Sequence, residues 1–188
     1  SFTAPSSDGG SPIQSYTATC GSASQTGPAS PIEVTGLTNG VTYTCSVTAA
    51  NAVGSSVASG NVSVMPEGAP LAPSLTAVQP ADSSATLTFS APSSDGGDPI
   101  TGYTAVCDPG TISQNGTLPS ITVAGLSNGA TYSCVVLATN ALGSTPSNAL
   151  SVTPRTMPAA PTITSADPLN GKASIVFTAP ANNGGSAI

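Results

Sequence analysis

Phe89-Ser-Ala-Pro-Ser-Ser-Asp-Gly-Gly-Asp-Pro-Ile100 governs the reading of the whole chain, because this stretch occurs three times. It stands earlier as Phe2-Thr-Ala-Pro-Ser-Ser-Asp-Gly-Gly-Ser-Pro-Ile13 and later as Phe177-Thr-Ala-Pro-Ala-Asn-Asn-Gly-Gly-Ser-Ala-Ile188. From Phe2 to Phe89 is 87 residues and from Phe89 to Phe177 is 88, so the 188-residue chain repeats one module in tandem. A unit of that size lies within the range of independently folding domains. Boundaries are expected at 1–66, 67–154 and 155–188, with the first copy lacking its N-terminal strands and the third reduced to its beginning. A piece of a longer array is the expectation that follows.

Working outward from Phe89, Ala85, Leu87 and Phe89 alternate with Thr86, Thr88 and Ser90, the period of two that marks a half-buried strand. Leu75 to Val78 reads as a short strand before it. The Ser, Asp, Gly and Pro content of 91–99 makes that stretch a loop. Tyr103, Ala105 and Cys107 then share one strand face, and 108–120 reads as a polar loop. Ile121 and Val123 form another short strand. Tyr132, Cys134, Val136 and Ala138 line the longest strand, 140–147 reads as a turn region, and Leu150 and Val152 close the module. Nowhere do apolar residues recur at i, i+3, i+4 and i+7. The class is all-β, with about seven short strands per module arranged as a sandwich.

Charged residues are only 5% of the chain, yet 38% hydrophobic content separates it from disordered chains of low apolar content. Net charge is −6, and Arg155 and Lys172 are the two cations. Nucleic-acid binding needs clustered Lys and Arg to neutralise phosphates, and an anionic membrane surface would repel this chain. No run of 18 apolar residues is available to span a bilayer.

Four cysteines fall into two pairs at equivalent places in their modules, Cys20 with Cys45 and Cys107 with Cys134. Such repeat-locked pairs suggest one disulfide per module and an oxidising compartment. Four buried free thiols are the competing reading.

Several motifs identify a relative. Pro70-Leu-Ala-Pro73, the aromatic before Ala-Pro, Ile100-Thr-Gly-Tyr103, Gly125-Leu-Ser-Asn-Gly129 followed by Tyr132, and Ala138-Thr-Asn-Ala-Leu-Gly143 resemble, in this order, fibronectin type III repeats. The likeness is to the Gly/Thr-rich type of bacterial extracellular and surface proteins, and it covers essentially the whole chain. The resemblance implies tandem immunoglobulin-like β-sandwiches. It also implies that the strands bearing Cys107 and Cys134 are antiparallel neighbours in one sheet, so that these residues, and Cys20 with Cys45, can bond across them. Tyr132 matches a tyrosine corner, whose hydroxyl bonds to backbone upstream. Two departures stand out. Phe2, Phe89 and Phe177 occupy the usual Trp position, and the intramodule cysteine pair is not typical of the family.

The chemical candidates are thin. A chain without His has no conventional hydrolytic triad; a Ser–Lys or paired-carboxylate site stays formally open, but Lys172 is alone and the eight acidic residues are mostly scattered in loops and linkers. Asp95-Gly-Gly-Asp98 invites a calcium reading, but the matching loop of the first copy keeps only Asp8, and Asn182 and Asn183 stand in the third. A site needing six to eight oxygens would not survive that drift, so an Asp-capped turn is the preferred reading. Zinc lacks both His and a Cys-x-x-Cys spacing. All three Phe and all four Tyr (Tyr16, Tyr43, Tyr103, Tyr132) occupy scaffold positions, which leaves no aromatic platform for a sugar. Asn61-Val-Ser63 and Asn115-Gly-Thr117 match the glycosylation acceptor pattern and would matter only in a eukaryotic source.

The reading that follows is a non-catalytic extracellular spacer or stalk, without cofactor or metal, whose partners are other domains of the same longer chain. Low-affinity protein or glycan contacts through polar loops or sheet edges are the alternative. Pro-rich linkers at 65–73 and 153–161 support a semi-rigid spacer.

Overall fold

A computed structural model describes residues 1–117 and 119–188. The chain divides into two compact units, Ser1–Gly68 with Ser94–Pro99, and Ala69–Ser93 with Ile100–Ile188. No helix occurs among the described residues.

The second unit contains the complete sandwich. One sheet holds β5 (Ser74–Ala81), β6 (Ser84–Ser90) and β9 (Ser120–Ala124), in the order β5-β6-β9. The other holds β7 (Gly102–Asp108), β8 (Ile112–Gly116), β10 (Tyr132–Asn140), β11 (Gly143–Pro146) and β12 (Leu150–Val152). Its order is β11-β10-β7-β8, with β12 continuing β11 along the same edge of β10. All pairings in the unit are antiparallel. Counting β11 and β12 as one interrupted strand, the sandwich has seven strand positions.

Alternation along the strands explains why the two sheets close on each other. Leu75, Ala85, Leu87, Phe89, Ile121 and Val123 point inward from one sheet, and Ala105, Cys107, Tyr132, Cys134, Val136 and Val152 from the other. Leu126 plugs the turn between them. Leu87, Val123 and Val136 are fully buried, which at about 25 cal/mol per Å² of apolar surface makes this cluster the main source of the unit's stability. Pro80 lies inside β5 but donates nothing to a ladder, and the sheet tolerates it because β5 is an edge strand. A register shift between Leu75 and Ala77 bends the same strand.

Two loop expectations are corrected. The stretch 108–120 carries β8 rather than a loop; Leu118 within it lies outside the described residues. Ile112–Gly116 pairs with Tyr103–Cys107 at a sheet edge, where only Ile112 needs to face the core, so no alternation marks it. Likewise Gly143–Pro146, within the expected turn region, forms β11 against Leu137–Asn140.

Also in this unit, β13 (Thr162–Leu169) and β14 (Lys172–Thr178) form a two-stranded hairpin with Ile163, Ile175 and Phe177 exposed. They repeat β5 and β6 residue for residue, down to the register shift between Ile163 and Ser165.

The first unit carries a four-stranded sheet, β2-β1-β3-β4, from β1 (Ser15–Cys20), β2 (Ala23–Gly27), β3 (Tyr43–Ala50) and β4 (Val62–Val64). These correspond to β7, β8, β10 and β12. Tyr16, Ala18 and Cys20 are its buried apolar residues, whereas Val57 and Val62 remain exposed. The inward face borders an apolar hollow of about 400 Å³ lined by Phe2, Cys20, Ile32, Val47 and Val62.

Candidate functional site

Four structural groupings recur among the copies: a cross-strand disulfide, a tilted Phe–Tyr pair, a tyrosine corner, and a Gly-Gly loop capped by side-chain oxygens.

Cys20 stands directly opposite Cys45 in the β1–β3 register, and Cys107 opposite Cys134 in the β7–β10 register. The structure joins both pairs as disulfides, with S–S 2.02 and 2.04 Å, and leaves no cysteine free. Cys107 and Cys134 are wholly buried in the sandwich core. A thiolate nucleophile must reach solvent to react, so a bond in this position acts as a staple. The strands place each cysteine two or four residues from a same-face tyrosine or alanine, which is why the side chains meet inside rather than on the surface.

Phe2 packs on Tyr16 at 4.9 Å between ring centroids and 52°, and Phe89 on Tyr103 at 5.0 Å and 55°. These tilted pairs engage the aromatics with each other. Burial raises the pKa of Tyr103 above the ordinary phenol value. Tyr132 is buried, and its hydroxyl accepts the Ser127 N–H at 2.9 Å, while Tyr43 accepts the Thr38 N–H at 3.0 Å. The backbone N–H of Thr38 favours the phenolate and lowers the Tyr43 pKa. Both tyrosines are thus corners, the hydroxyl reaching backbone five residues upstream.

In the Gly-Gly loops the acidic side chains serve their own backbone. Asp8 accepts the Gly10 N–H at 2.9 Å, and Asp95 accepts the Gly97 N–H at 2.9 Å. In the third copy Asn183 does the same for Gly185 at 3.0 Å. One step earlier, Ser7, Ser94 and Asn182 accept the N–H of Gly9, Gly96 and Gly184. A side-chain oxygen that caps a turn is needed whether it comes from Asp or Asn, and the drift from Asp to Asn among the copies follows. Among the described residues, no three of Cys, Asp and Glu gather as metal ligands.

Asn51 is a residue whose role the sequence did not disclose. Its Oδ1 accepts the N–H of Val53 and Gly54, and its Nδ2 donates to the carbonyls of Asp8 and Ser11, tying two loops together. Asn140, buried at the equivalent place, accepts the N–H of Leu142 and Gly143. Its recurrence in Ala-x-Asn-Ala-x-Gly was the available signal. Between the loops tied by Asn51 lies an open cleft of about 530 Å³, lined by Pro5, Asp8, Ile13, Asn51 and Val53. It carries one titratable group and no aromatic ring.

The family model for the fibronectin type III domain matches residues 1–65 and 68–153. A Kelch domain-containing protein of Saccharolobus solfataricus is 32% identical over 128 residues, 65% of this chain and 17% of that protein. The chain therefore spans less than a fifth of the curated relative it matches. Among solved structures, titin kinase with its flanking domains aligns at 26% identity and TM-score 0.40, over 46% of this chain and 17% of that one. The FN1–FN3 domains of chicken CNTN1 align at 16% identity and TM-score 0.40, over 76% of this chain and 56% of that one. Fibronectin type III domains are in general non-catalytic modules. With two matches that together cover most of its length, and a seven-position antiparallel sandwich built on the motifs they describe, this chain belongs to the fibronectin type III domain family.

Proposed function

We propose that the chain is a non-catalytic spacer or stalk in a longer secreted or surface protein, extending or presenting that protein's other domains. The observation that carries this reading is the structural employment of the conspicuous side chains of the first two modules. Asp8 and Asp95 cap their own turns, Phe2 and Phe89 pack on tyrosines, Tyr43 and Tyr132 bond backbone, and all four cysteines are bonded. Catalysis and tight recognition both need side chains left free to meet a ligand. Disulfides in two small modules support an extracellular setting. Module boundaries at 1–66, 67–154 and 155–188, and kinship with the Gly/Thr-rich repeats of bacterial surface proteins, belong to the same proposal.

A second reading is favoured by one feature, the open cleft beside Asn51, whose polar loops would suit a low-affinity protein or glycan contact. The two readings separate by replacement. Exchanging the array in its parent protein for an unrelated folded spacer of equal length restores function if it is a stalk. Loss of function despite correct folding and length would defeat the stalk reading.

A further inference from the structure

We infer that the Gly-Gly loop of one module is a docking element for the Asn-Gly turn and linker of the module before it, a built joint formed once inside each compact unit. The contacts occur twice, once inside each compact unit. In the second unit, Gly129 donates its N–H to Pro154 at 2.9 Å and Thr156 donates to the Gly184 carbonyl at 2.8 Å. In the first, Gly40 donates to Pro66 at 2.8 Å and Gly68 donates to the Gly96 carbonyl at 2.9 Å. The two sets are the same bonds one repeat apart. The turn first binds its own linker, and the linker then binds the loop.

Backbone meets backbone at the centre of each joint. A Cβ on Gly97 would lie 3.2 Å from the Cα and N of Gly40 and from the Pro66 carbonyl oxygen. A Cβ on Gly185 would lie 2.9 Å from the Asn128 carbonyl carbon and would strike the Gly129 nitrogen. A Cβ on Gly129 would in turn come within 3.1 Å of the Gly185 Cα. Backbone atoms cannot rotate aside as a side chain can, so only glycine fits both partners. That gives the Asn-Gly turn and the Gly-Gly loop a common purpose.

The loop has the same backbone shape in all three copies. Gly9 and Gly10 have φ of 71° and 84°, close to 81° and 90° at Gly96 and Gly97 and 73° and 85° at Gly184 and Gly185. Their amides are capped in the same way, yet a Cβ on Gly10 would meet nothing within 4 Å. A loop with its conformation already set loses little entropy on docking. The joint rests on these contacts alone and stands whether or not the array is a stalk.

The test uses the full 188-residue chain with Gly97→Ala, Gly185→Ala and, as control, Gly10→Ala. All three place alanine at a similar positive φ and incur the same backbone strain, but only the first two meet a partner. Amide exchange followed by NMR should show at least about tenfold faster exchange at Gly68 in G97A and at Thr156 in G185A. Val123 and Val136 should stay protected, and G10A should leave Gly68 and Thr156 as in the wild type. An equal response to all three substitutions, or none, overturns the joint. In the unaltered chain an NOE between the α-protons of Gly185 and Gly129 is expected, and its absence would also refute the joint, independently of any variant's folding.

Discussion

Replacing Cys107 and Cys134 together by alanine, with Cys20–Cys45 intact, should remove a large part of the second unit's margin of stability. The bond closes a loop with a sequence separation of 27 residues. Freeing that loop in the unfolded chain costs about 3.5 kcal/mol by the chain-entropy estimate. Two wholly buried sulfurs are also lost from the core, worth about 1 kcal/mol more at the rate for buried apolar groups. A combined loss of about 4–5 kcal/mol is large against the 5–15 kcal/mol typical of a domain. Because the chain has two units, a bulk melting curve would mix them, so native-state amide exchange is the suitable assay. Slow exchange at Val123 and Val136 reports the second unit, and at Ala18 and Val47 the first. The first pair should exchange roughly a thousandfold faster or more, the second pair unchanged. A loss below about 1.5 kcal/mol at Val136, or an equal loss at Val47, would refute the assignment of the bond as the local staple.

Tyr132→Phe leaves the part-buried Ser127 N–H without its acceptor and should cost about 1–3 kcal/mol in the same exchange assay. Asp95→Asn should be nearly neutral, within about 0.5 kcal/mol, because an asparagine oxygen caps the matching glycine at Asn183; its melting temperature should be indifferent to added calcium or chelator. The hairpin exposes Phe177, Ile163 and Ile175 on one surface, so the 188-residue chain should associate with rising concentration in sedimentation velocity. Phe177→Asp should shift it toward monomer; concentration-independent sedimentation of the parent chain would dismiss that patch as adhesive.

Much of the fold was legible because its signals are local. Ala85, Leu87 and Phe89 alternate over a strand long enough to declare itself, and the cysteine pairs recur in step with the modules. The strand at Ile112–Gly116 was not legible, since an edge strand with one inward residue carries no period. Gly143–Pro146 was hidden for the same reason behind its turn residues. The roles of Asn51 and Asn140 depend on loops brought together only by folding, and no spacing along the chain encodes that approach. The Gly-Gly loops were read correctly as capped turns, but their second duty against Gly40 and Gly129 is set by contacts spanning 57 and 56 positions. Those are tertiary facts.

The proposed spacer role requires that the repeated residues build scaffold and leave no recognition site. Probing protein and glycan arrays with the folded 188-residue chain tests it most directly. No contact tighter than about 1 mM, equivalent to roughly −4 kcal/mol, is expected. A reproducible micromolar ligand, abolished by substitution at Asp8 or Val53 in the cleft beside Asn51, would contradict it.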